Sequence, residues 1–436
     1  MLAVFFPLTF GTFRYFPGAG ALYEFWFIVC AAYLLVGFAL WNRREGRKAT
    51  VGEWYIIALA VLVPVISAIA AWSAFGQPLI YGILAQRKLA VLAAVLFYGQ
   101  SLRKGIFTLR ESLVALLALG WVTLALNILI RALLKPASFA DVAGIGFVSG
   151  PGPDAFFHLP GEFITFNLIY YALRGFRTGR PIYYLLCLIL FADNFGGAGS
   201  RAKILSILVA FVILVVRWGS ARRIFILIPK LLLGFGFILG LIYLAAPDVV
   251  IGRLNSFQDA FTVALTGEAV EDASATARIG EIVVALPGIA LHPIIGNGAL
   301  SYQWEGGSQS ILGEYFFPDD IGLYGVVWEF GVIGLVLFSF QFWFAFRAVR
   351  NTSSKQYSSI TDATLGYLIY LLFHSITTGL FVYGVEVSLT LIILLQKSTE
   401  NLNWQAGPNL LSEQYRGPAN RKPALWVHIQ GATPLR

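Results

Sequence analysis

The sequence predicts an all-α polytopic membrane protein with about 11 to 12 transmembrane helices. Of its 436 residues, 58% are hydrophobic and 12% are charged, whereas about a quarter of the residues in a soluble domain are charged. The mean hydropathy is +0.74. The apolar runs are about 20 residues long, enough for a helix to cross the hydrocarbon core, and they lack the alternation of a membrane β-barrel. These observations predict a helical bundle in lipid.

Apolar segments recur along the whole chain and define the predicted spans. They cover residues 22–41, 54–75, 79–99, 113–134, 163–173, 182–192, 204–216, 224–246, 321–346, 363–378 and 380–395. Residues 1–10 are too short to cross the membrane and lack a basic start, so we expect a half-helix or a truncated start and no cleaved signal. Cys30 and Cys187 lie inside apolar runs, where a thiol behaves as a small hydrophobe, so no disulfide framework or metal cluster is expected.

Basic residues fall in every second loop and predict the orientation of the chain. The clusters are NRREGRK (42–48), SLRKG (101–105), RGFRTGR (174–180), RWGSARR (217–223) and RAVRNTSSK (347–355). Lys and Arg in short loops favour the cytoplasm, so these loops and the polar tail 397–436 are predicted to be cytoplasmic. The connection 247–320 then lies outside, within a transmembrane domain that covers residues 1–396. The net charge of +8 follows from this topology, and no nucleic-acid partner is expected.

The outer connection contains a predicted amphipathic helix at 274–286. Apolar residues recur there at helical spacing, with Arg278 and Glu281 off the apolar stripe; the stripe consists of Ile279, Ile282, Val283 and Leu286. We expect this helix to lie at the outer membrane interface and to end or kink at Pro287. The stretch HPIIGNGALSYQWEGGSQS (292–310) follows it. Its glycine-rich composition is compatible with a substrate-facing loop and equally with a surface connector.

Several charges stand where a membrane protein normally avoids them. A charge inside the bilayer costs at least about 2.5 kcal/mol on insertion scales, so each one requires an explanation. Snorkelling or ion pairing accounts for any one of them alone. As a group on the outer side they predict an anion site, because arginine binds phosphate oxygens two at a time. The group comprises Arg87, Lys88, Arg201, Lys203, Arg253 and Arg278.

Two adjacent carboxylates open a late span, in FFPDDIGLYGVVWEFGVIG (316–334). Pro318 suits the residue before a helix, and either Asp319 or Asp320 is suited to cap the first turn. Capping explains one aspartate and leaves the second without a structural reason. Glu329, two turns further in, is expected to pair with a basic residue. The glycines of this stretch predict close approach of neighbouring helices.

Four stretches in this order resemble the O-antigen polymerase and ligase family of bacterial inner-membrane glycosyltransferases. They are GQPLIYGILAQRKL (76–89), GGAGSRAKILSILVAF (196–211), TARIGEIVVALPGIALHPIIGNGAL (276–300) and DIGLYGVVWEFGVIGL (320–335). The resemblance implies a GT-C-like fold, a periplasmic active site in the loop before the late helix, and a donor glycan on undecaprenyl diphosphate. It implies no cofactor and no metal. It assigns the diphosphate to Arg201 and Arg278. The charge pattern adds Arg87, Lys203 and Arg253 as substrate-binding candidates, and His292, which is not the family's histidine, is a further one.

The chain departs from this family at one informative position. Ligases of the family carry a His-Asn pair before the late span, where this chain has Pro318, Asp319 and Asp320. The resemblance therefore favours a polymerase that joins lipid-linked repeat units into O-antigen, capsule or exopolysaccharide, with a ligase as the alternative and a glycan transporter as a further one. In the polymerase Asp320, or else Asp319, takes the proton of the acceptor hydroxyl. Expected partners are membrane lipids, a chain-length regulator and a repeat-unit flippase.

Overall fold

The computed structural model describes most of the apolar part of the chain. The described residues are 1–134 without 15 and 17, 148–149, 156–157, 161–196, 201–217, parts of 233–266, 273–313 without 306, 316–350 and 358–405. They are almost entirely helical. Within them, the strands β1 (Val148–Ser149) and β2 (Phe156–Phe157) form one short antiparallel pair. The all-α class predicted from the sequence is confirmed.

The described residues form fifteen α-helices. In chain order they are α1 (Leu2–Thr9), α2 (Ala19–Arg44), α3 (Val51–Phe75), α4 (Leu79–Ala85), α5 (Leu92–Lys104), α6 (Leu109–Leu133), α7 (Glu162–Thr178), α8 (Pro181–Gly196), α9 (Arg201–Arg217), α10 (Ala273–Leu291), α11 (Ser308–Leu312), α12 (Leu323–Arg350), α13 (Ser359–Thr378), α14 (Leu380–Tyr383) and α15 (Val385–Gln405). Short 3₁₀ turns lie at Arg87–Val91 and Pro318–Ile321.

Part of this bundle is long and apolar enough to cross a membrane. Among the described residues α2, α3, α6 and α12 satisfy both requirements, and the bent pair formed by α4 and Arg87–Lys104 would make a fifth span. The chain is therefore a membrane-embedded helical protein. The other predicted spans coincide with the shorter or more polar helices α7, α8, α9, α13 and α15. The predicted span 224–246 lies largely outside the described residues.

The predicted span 79–99 is not one straight helix. It bends by 54°, and Arg87 and Lys88 lie in the 3₁₀ turn that follows the bend. Arg87 therefore does not project from the middle of a continuous span. Its guanidinium instead forms an exposed ion pair with Glu24 of α2, 2.8 Å apart. Arg87 thus has a charged partner, and a paired charge avoids the cost of a lone one in lipid.

One end of the bundle is held by ion pairs between loops predicted to be cytoplasmic. The buried Glu53 carboxylate accepts hydrogen bonds from Arg47, at 2.6 Å, and from Arg103. At the same end Arg177, in the last turn of α7, pairs with the buried Asp362 in the first turn of α13. These pairs join segments that are distant in sequence. Because the end of α7 contacts the start of α13 here, the start of α7 and the end of α13 meet at the other end of the bundle.

The late helix α12 is broken at Gly331, whose φ of 62° and ψ of −172° are not helical. The segment 293–298 pairs with the break through main-chain hydrogen bonds: Val332 N donates to Pro293 O at 2.9 Å, and Gly298 N donates to Glu329 O at 2.9 Å. Irregular backbone within a membrane is tolerated where other protein satisfies it. Residues 296–299 are accordingly buried. The glycine-rich stretch is thus a packed structural segment at this point, and the surface-connector interpretation of it is wrong here.

The break makes Gly331 sensitive to substitution. A Cβ at this position would lie 2.2 Å from the Ile294 carbonyl oxygen, and the positive φ strains any other residue. We expect Gly331→Ala to destabilise the protein by at least about 2 kcal/mol, measured as a fall in the thermal unfolding temperature in detergent. The matched control is Gly280→Ala in α10, where a Cβ meets nothing within 4 Å. Equal unfolding temperatures for the two variants would contradict the role of this break.

Candidate functional site

Polar side chains from three helices converge at the end of the bundle away from Asp362. Glu162 opens α7, and its carboxylate accepts a hydrogen bond from the Tyr370 hydroxyl at 2.9 Å. The Lys203 ammonium of α9 lies 3.8 Å from the other Glu162 oxygen. His374, one turn after Tyr370 on α13, stacks on the Tyr370 ring at 5.4 Å. Lys203 is buried, whereas Glu162 remains 35% exposed. We call Glu162, Lys203, Tyr370 and His374 the basal cluster.

Arg278 of α10 connects the basal cluster to a group of carboxylates. Its charge acts on the His374 imidazole and also on the Glu281 carboxyl one turn along the same helix. The charges of Asp319 and Asp320 act on Glu281 as well, because the turn Pro318–Ile321 packs against α10. Together Arg278, Glu281, Asp319 and Asp320 form what we call the carboxylate cluster. The charge of Arg278 therefore acts on members of both clusters, and acids and cations lie side by side.

The α10 helix carries its charged residues inward. Glu281 is 9% exposed and Ala285 is fully buried, whereas Val283 and Leu291 are 60% and 75% exposed. The predicted helix is confirmed, but it does not end at Pro287 and continues to Leu291. An apolar face turned outward and a charged face turned inward suit a helix that borders lipid on one side and a polar site on the other. The sequence pattern therefore placed Arg278 and Glu281 on the face that is turned inward.

Glu281 has an unusual environment for a carboxyl group. Its carboxylate accepts a hydrogen bond from the Phe317 backbone amide, but its Oε2 atom is buried and has no hydrogen-bond partner among the residues described. Burial raises the pKa of Glu281 to about 7, with Asp320 and Asp319 adding to the rise and Arg278 opposing it. Near neutral pH this group is thus able to hold or release a proton beside the two aspartates.

The aspartates lie in a turn of their own rather than in the first turn of α12. Pro318–Ile321 is a 3₁₀ turn, and α12 begins at Leu323 after Gly322, whose φ is 56°. A Cβ at Gly322 would lie 2.1 Å from the Ile376 carbonyl oxygen of α13, so the predicted close approach at this glycine is confirmed. Asp319 and Asp320 are both exposed. Asp319, rather than the Asp320 favoured by the sequence, lines a cavity of about 340 Å³.

The remaining predicted site residues occupy different places. Arg201 is the first residue of α9, two residues before Lys203, so it lies at the same end of this helix as the basal cluster. Arg87 lines the cavity beside Asp319 and is ion-paired with Glu24. His292 directly follows α10, and its carbonyl oxygen accepts from Gly296 N at 3.0 Å, which is a structural contact. Arg253 lies outside the described residues.

Four residues of the two clusters were not selected as site residues from the sequence. They are Glu162, Tyr370, His374 and Glu281. An ionisable residue inside an apolar run is itself a signal, and His374 in the run 363–378 meets this criterion. Glu162 lies at the edge of the span 163–173, where a carboxylate is also explained by the helix dipole. In the described part of the chain, no group of three or more His, Cys, Asp or Glu side chains is arranged to hold a metal ion.

Comparison with known proteins does not assign a function to this site. No protein-family model, no curated protein and no solved structure matches the chain.

The Glu281 carboxyl makes stability depend on pH. A pKa of about 7 in the folded protein against 4.5 for an ordinary carboxyl means that the folded state is favoured while the group is protonated. This stabilisation is lost as the pH rises from about 5 to 8. Glu281→Gln should therefore unfold at the wild-type temperature at pH 5 and at a higher temperature than wild type at pH 8. The corresponding difference in the free energy of unfolding at pH 8 is at most about 3 kcal/mol. If the unfolding temperatures of the wild type and of Glu281→Gln fall by the same amount between pH 5 and pH 8, Glu281 is not the responsible group.

Proposed function

We propose that the chain is a membrane glycosyltransferase that polymerises oligosaccharide repeat units carried on undecaprenyl diphosphate. The observation that carries the proposal is that the turn Pro318–Ile321 packs against both α10 and α13, so that the charge of Arg278 acts on Glu281 and on His374. A transferase of this kind must hold an anionic leaving group and remove a proton from a hydroxyl nucleophile within one site. Arg278, Arg201 and Lys203 supply the cations, and Asp319, Asp320 and Glu281 supply the proton acceptors.

The proposed reaction needs only these groups. A hydroxyl oxygen at the non-reducing end of one lipid-linked unit attacks the anomeric carbon of the growing chain. The new glycosidic C–O bond forms as the bond from that carbon to the diphosphate oxygen breaks. The hydroxyl proton passes to an aspartate, and undecaprenyl diphosphate leaves with the negative charge that the arginines stabilise.

The orientation proposed for this site is periplasmic, in a GT-C-like arrangement of about 11 to 12 spans in the bacterial inner membrane. The support is the distribution of basic residues: the end of the bundle that contains Arg47, Arg103 and Arg177 carries the basic loops, which favour the cytoplasm. The basal and carboxylate clusters lie at the other end. In this position the enzyme would receive units from a flippase and act with a chain-length regulator, and its product would be O-antigen, capsule or exopolysaccharide.

A transporter of lipid-linked glycans is the second candidate, and two broken helices favour it. The bend of 54° after α4 and the break at Gly331 both border the cavity at Asp319, and discontinuous helices beside a central site are typical of transporters. The polymerase remains preferred because a transporter has no need of three carboxyl groups grouped against an arginine.

Reconstitution separates the two candidates. Purified protein in liposomes is given lipid-linked repeat units that already face the outer side, and the products are resolved by length on a gel. A polymerase lengthens them without any other protein. A transporter leaves them at unit length and changes only the leaflet in which they lie, and that result would refute the proposed reaction. Addition of lipid A core as an acceptor tests the ligase alternative in the same vesicles.

A further inference from the structure

The cavity beside Asp319 is built from parts of the chain that are far apart in sequence. Its wall includes the turn after α4, the outer segment 299–303, the turn Pro318–Ile321, the start of α12 and the end of α14. Its volume of about 340 Å³ is at the small end of the range of roughly 300–1,000 Å³ found for ligand pockets. A cavity of this size accommodates the end of a carbohydrate chain and excludes a whole oligosaccharide.

Two polar groups on this wall have unmet hydrogen-bonding capacity. The Glu329 carboxylate and the Tyr383 hydroxyl are both buried and lie close to one another, but neither the Glu329 Oε2 atom nor the hydroxyl makes a hydrogen bond of good geometry with the residues described. Both residues line the cavity. Leaving a buried polar group unpaired costs about 1–3 kcal/mol, and more for a charged one. A ligand that donates hydrogen bonds in the cavity would remove this cost.

The cations of the wall are already compensated. The Arg87 guanidinium contacts both carboxylate oxygens of Glu24, with Nε 3.1 Å from Oε2 and Nη2 2.8 Å from Oε1. The Lys88 ammonium lies 4.9 Å from the centre of the Tyr383 ring, in a cation–π contact. What the cavity offers beyond these is carboxylate acceptors. It is therefore a poor second site for a phosphate and a suitable one for a neutral ligand with many hydroxyl groups.

The other wall residues match the same ligand class. The Gln86 amide supplies both a donor and an acceptor, and the exposed aromatic side chain of Tyr302 lies on the same wall. A pyranose ring has hydroxyl groups around its edge and apolar C–H groups on its faces. Carboxylates and amides bind the first, and aromatic rings pack against the second. The composition of this wall is therefore that of a sugar site.

We propose that this cavity is the subsite for the terminal sugar of the acceptor, an inference that rests on the function proposed above. Asp319 both lines the cavity and acts through its charge on Glu281 of the carboxylate cluster. A sugar held in the cavity thus presents a hydroxyl beside Asp319 and towards Arg278. The acceptor and the leaving diphosphate then occupy separate, adjoining places: the acceptor contacts Glu329 and Tyr383, and the diphosphate contacts the cations.

The test measures protection of a thiol at the cavity. In a variant with Cys30→Ala and Cys187→Ala, Gln303→Cys places a single reactive group on the exposed part of the wall. Membranes are labelled with a maleimide in the presence of the free oligosaccharide, which is released by mild acid from the host's lipid-linked repeat units. We expect the oligosaccharide to slow labelling and inorganic pyrophosphate at the same concentration to leave it unchanged. Protection by pyrophosphate and not by the oligosaccharide would overturn the proposal in favour of an anion site.

Two wall variants make the test specific. Glu329→Gln and Tyr383→Phe should each raise the oligosaccharide concentration for half-protection by about tenfold, the effect of one lost hydrogen bond to a charged or buried group. The matched control is Tyr324→Phe, on the same helix as Glu329 and 49% exposed, and it should leave the value unchanged. No protection, or protection that neither wall variant weakens, refutes the subsite.

The outcome is separable from the proposed function. Thiol protection requires binding but no turnover. If the protein binds the oligosaccharide but lengthens no lipid-linked units, the sugar subsite is supported and the polymerase function is refuted. Conversely, if the protein lengthens the units in liposomes but the oligosaccharide does not protect Gln303→Cys, the polymerase function is supported and the subsite is refuted.

Discussion

Arg278→Ala is expected to lower the rate of polymer synthesis by about a hundredfold to ten-thousandfold. The charge of the guanidinium acts on both His374 and Glu281, and its paired N–H donors are proposed to make two contacts to the diphosphate. Each charge-assisted contact to an anion is worth about 1.5–3 kcal/mol, and two of them correspond to this range of rates. Arg278→Lys should also be impaired, because an ammonium cannot reproduce the paired N–H donors of the guanidinium.

The measurement is the amount and length of polymer made by purified variants in liposomes. Arg350→Ala is the matched control, since Arg350 is an exposed arginine at the far end of α12 and should retain the wild-type rate. Arg201→Ala should show the smaller loss of about ten- to a hundredfold that one contact implies. Normal polymer from Arg278→Ala, with normal amounts of folded protein, would remove the diphosphate role from this residue.

Asp319→Asn is expected to lower the rate of polymer synthesis by about a hundredfold to ten-thousandfold, the usual contribution of a general base. Asparagine keeps the size of the side chain and its ability to accept a hydrogen bond, but it does not take a proton. The effect is placed on Asp319 because this residue lines the cavity. Asp320→Asn should have a smaller effect, through the loss of its charge next to Glu281.

The control for this pair is Glu400→Gln, which neutralises an exposed carboxylate 65% accessible to solvent near the end of α15. It should leave polymer length and rate unchanged. If Asp319→Asn and Asp320→Asn both make full-length polymer at the wild-type rate, the carboxylates of this turn have only a structural role. If only Asp320→Asn lowers the rate of polymer synthesis, the proton acceptor is Asp320, the residue that the sequence favoured.

Helix positions and the polar face of α10 were accessible to sequence analysis because both follow from local periodicity. Apolar runs placed most of the helices, and the spacing of Ile282 and Leu286 put Arg278 and Glu281 on a separate face. The resemblance to polymerases and the assigned reaction remain predictions, since no comparison bears on them. The number of spans likewise remains a prediction beyond the helices that are long and apolar enough to cross.

The parts that sequence analysis missed depend on contacts between distant segments. The hydrogen bond from the Tyr370 hydroxyl to Glu162 joins residues 208 positions apart, and no local sequence pattern connects them. The break at Gly331 was likewise not predicted, because it is stabilised by the segment 293–298 rather than by residues of its own helix. The sequence could mark Gly331 only as one small residue in a series of glycines, with no indication that its neighbours would pair elsewhere.

The pairing of the segment 293–298 with the break in α12 has a consequence for how such a protein can diverge. The wall of the cavity on this side is anchored by main-chain bonds, including those of Gly298 and Val332, and such bonds do not depend on side-chain identity. Exposed wall residues such as Tyr302 and Gln303 can therefore be exchanged without loss of the scaffold. Under the proposed function, sugar preference would change by substitution at these positions alone, while Gly296, Gly298 and Gly331 would have to be kept for the break.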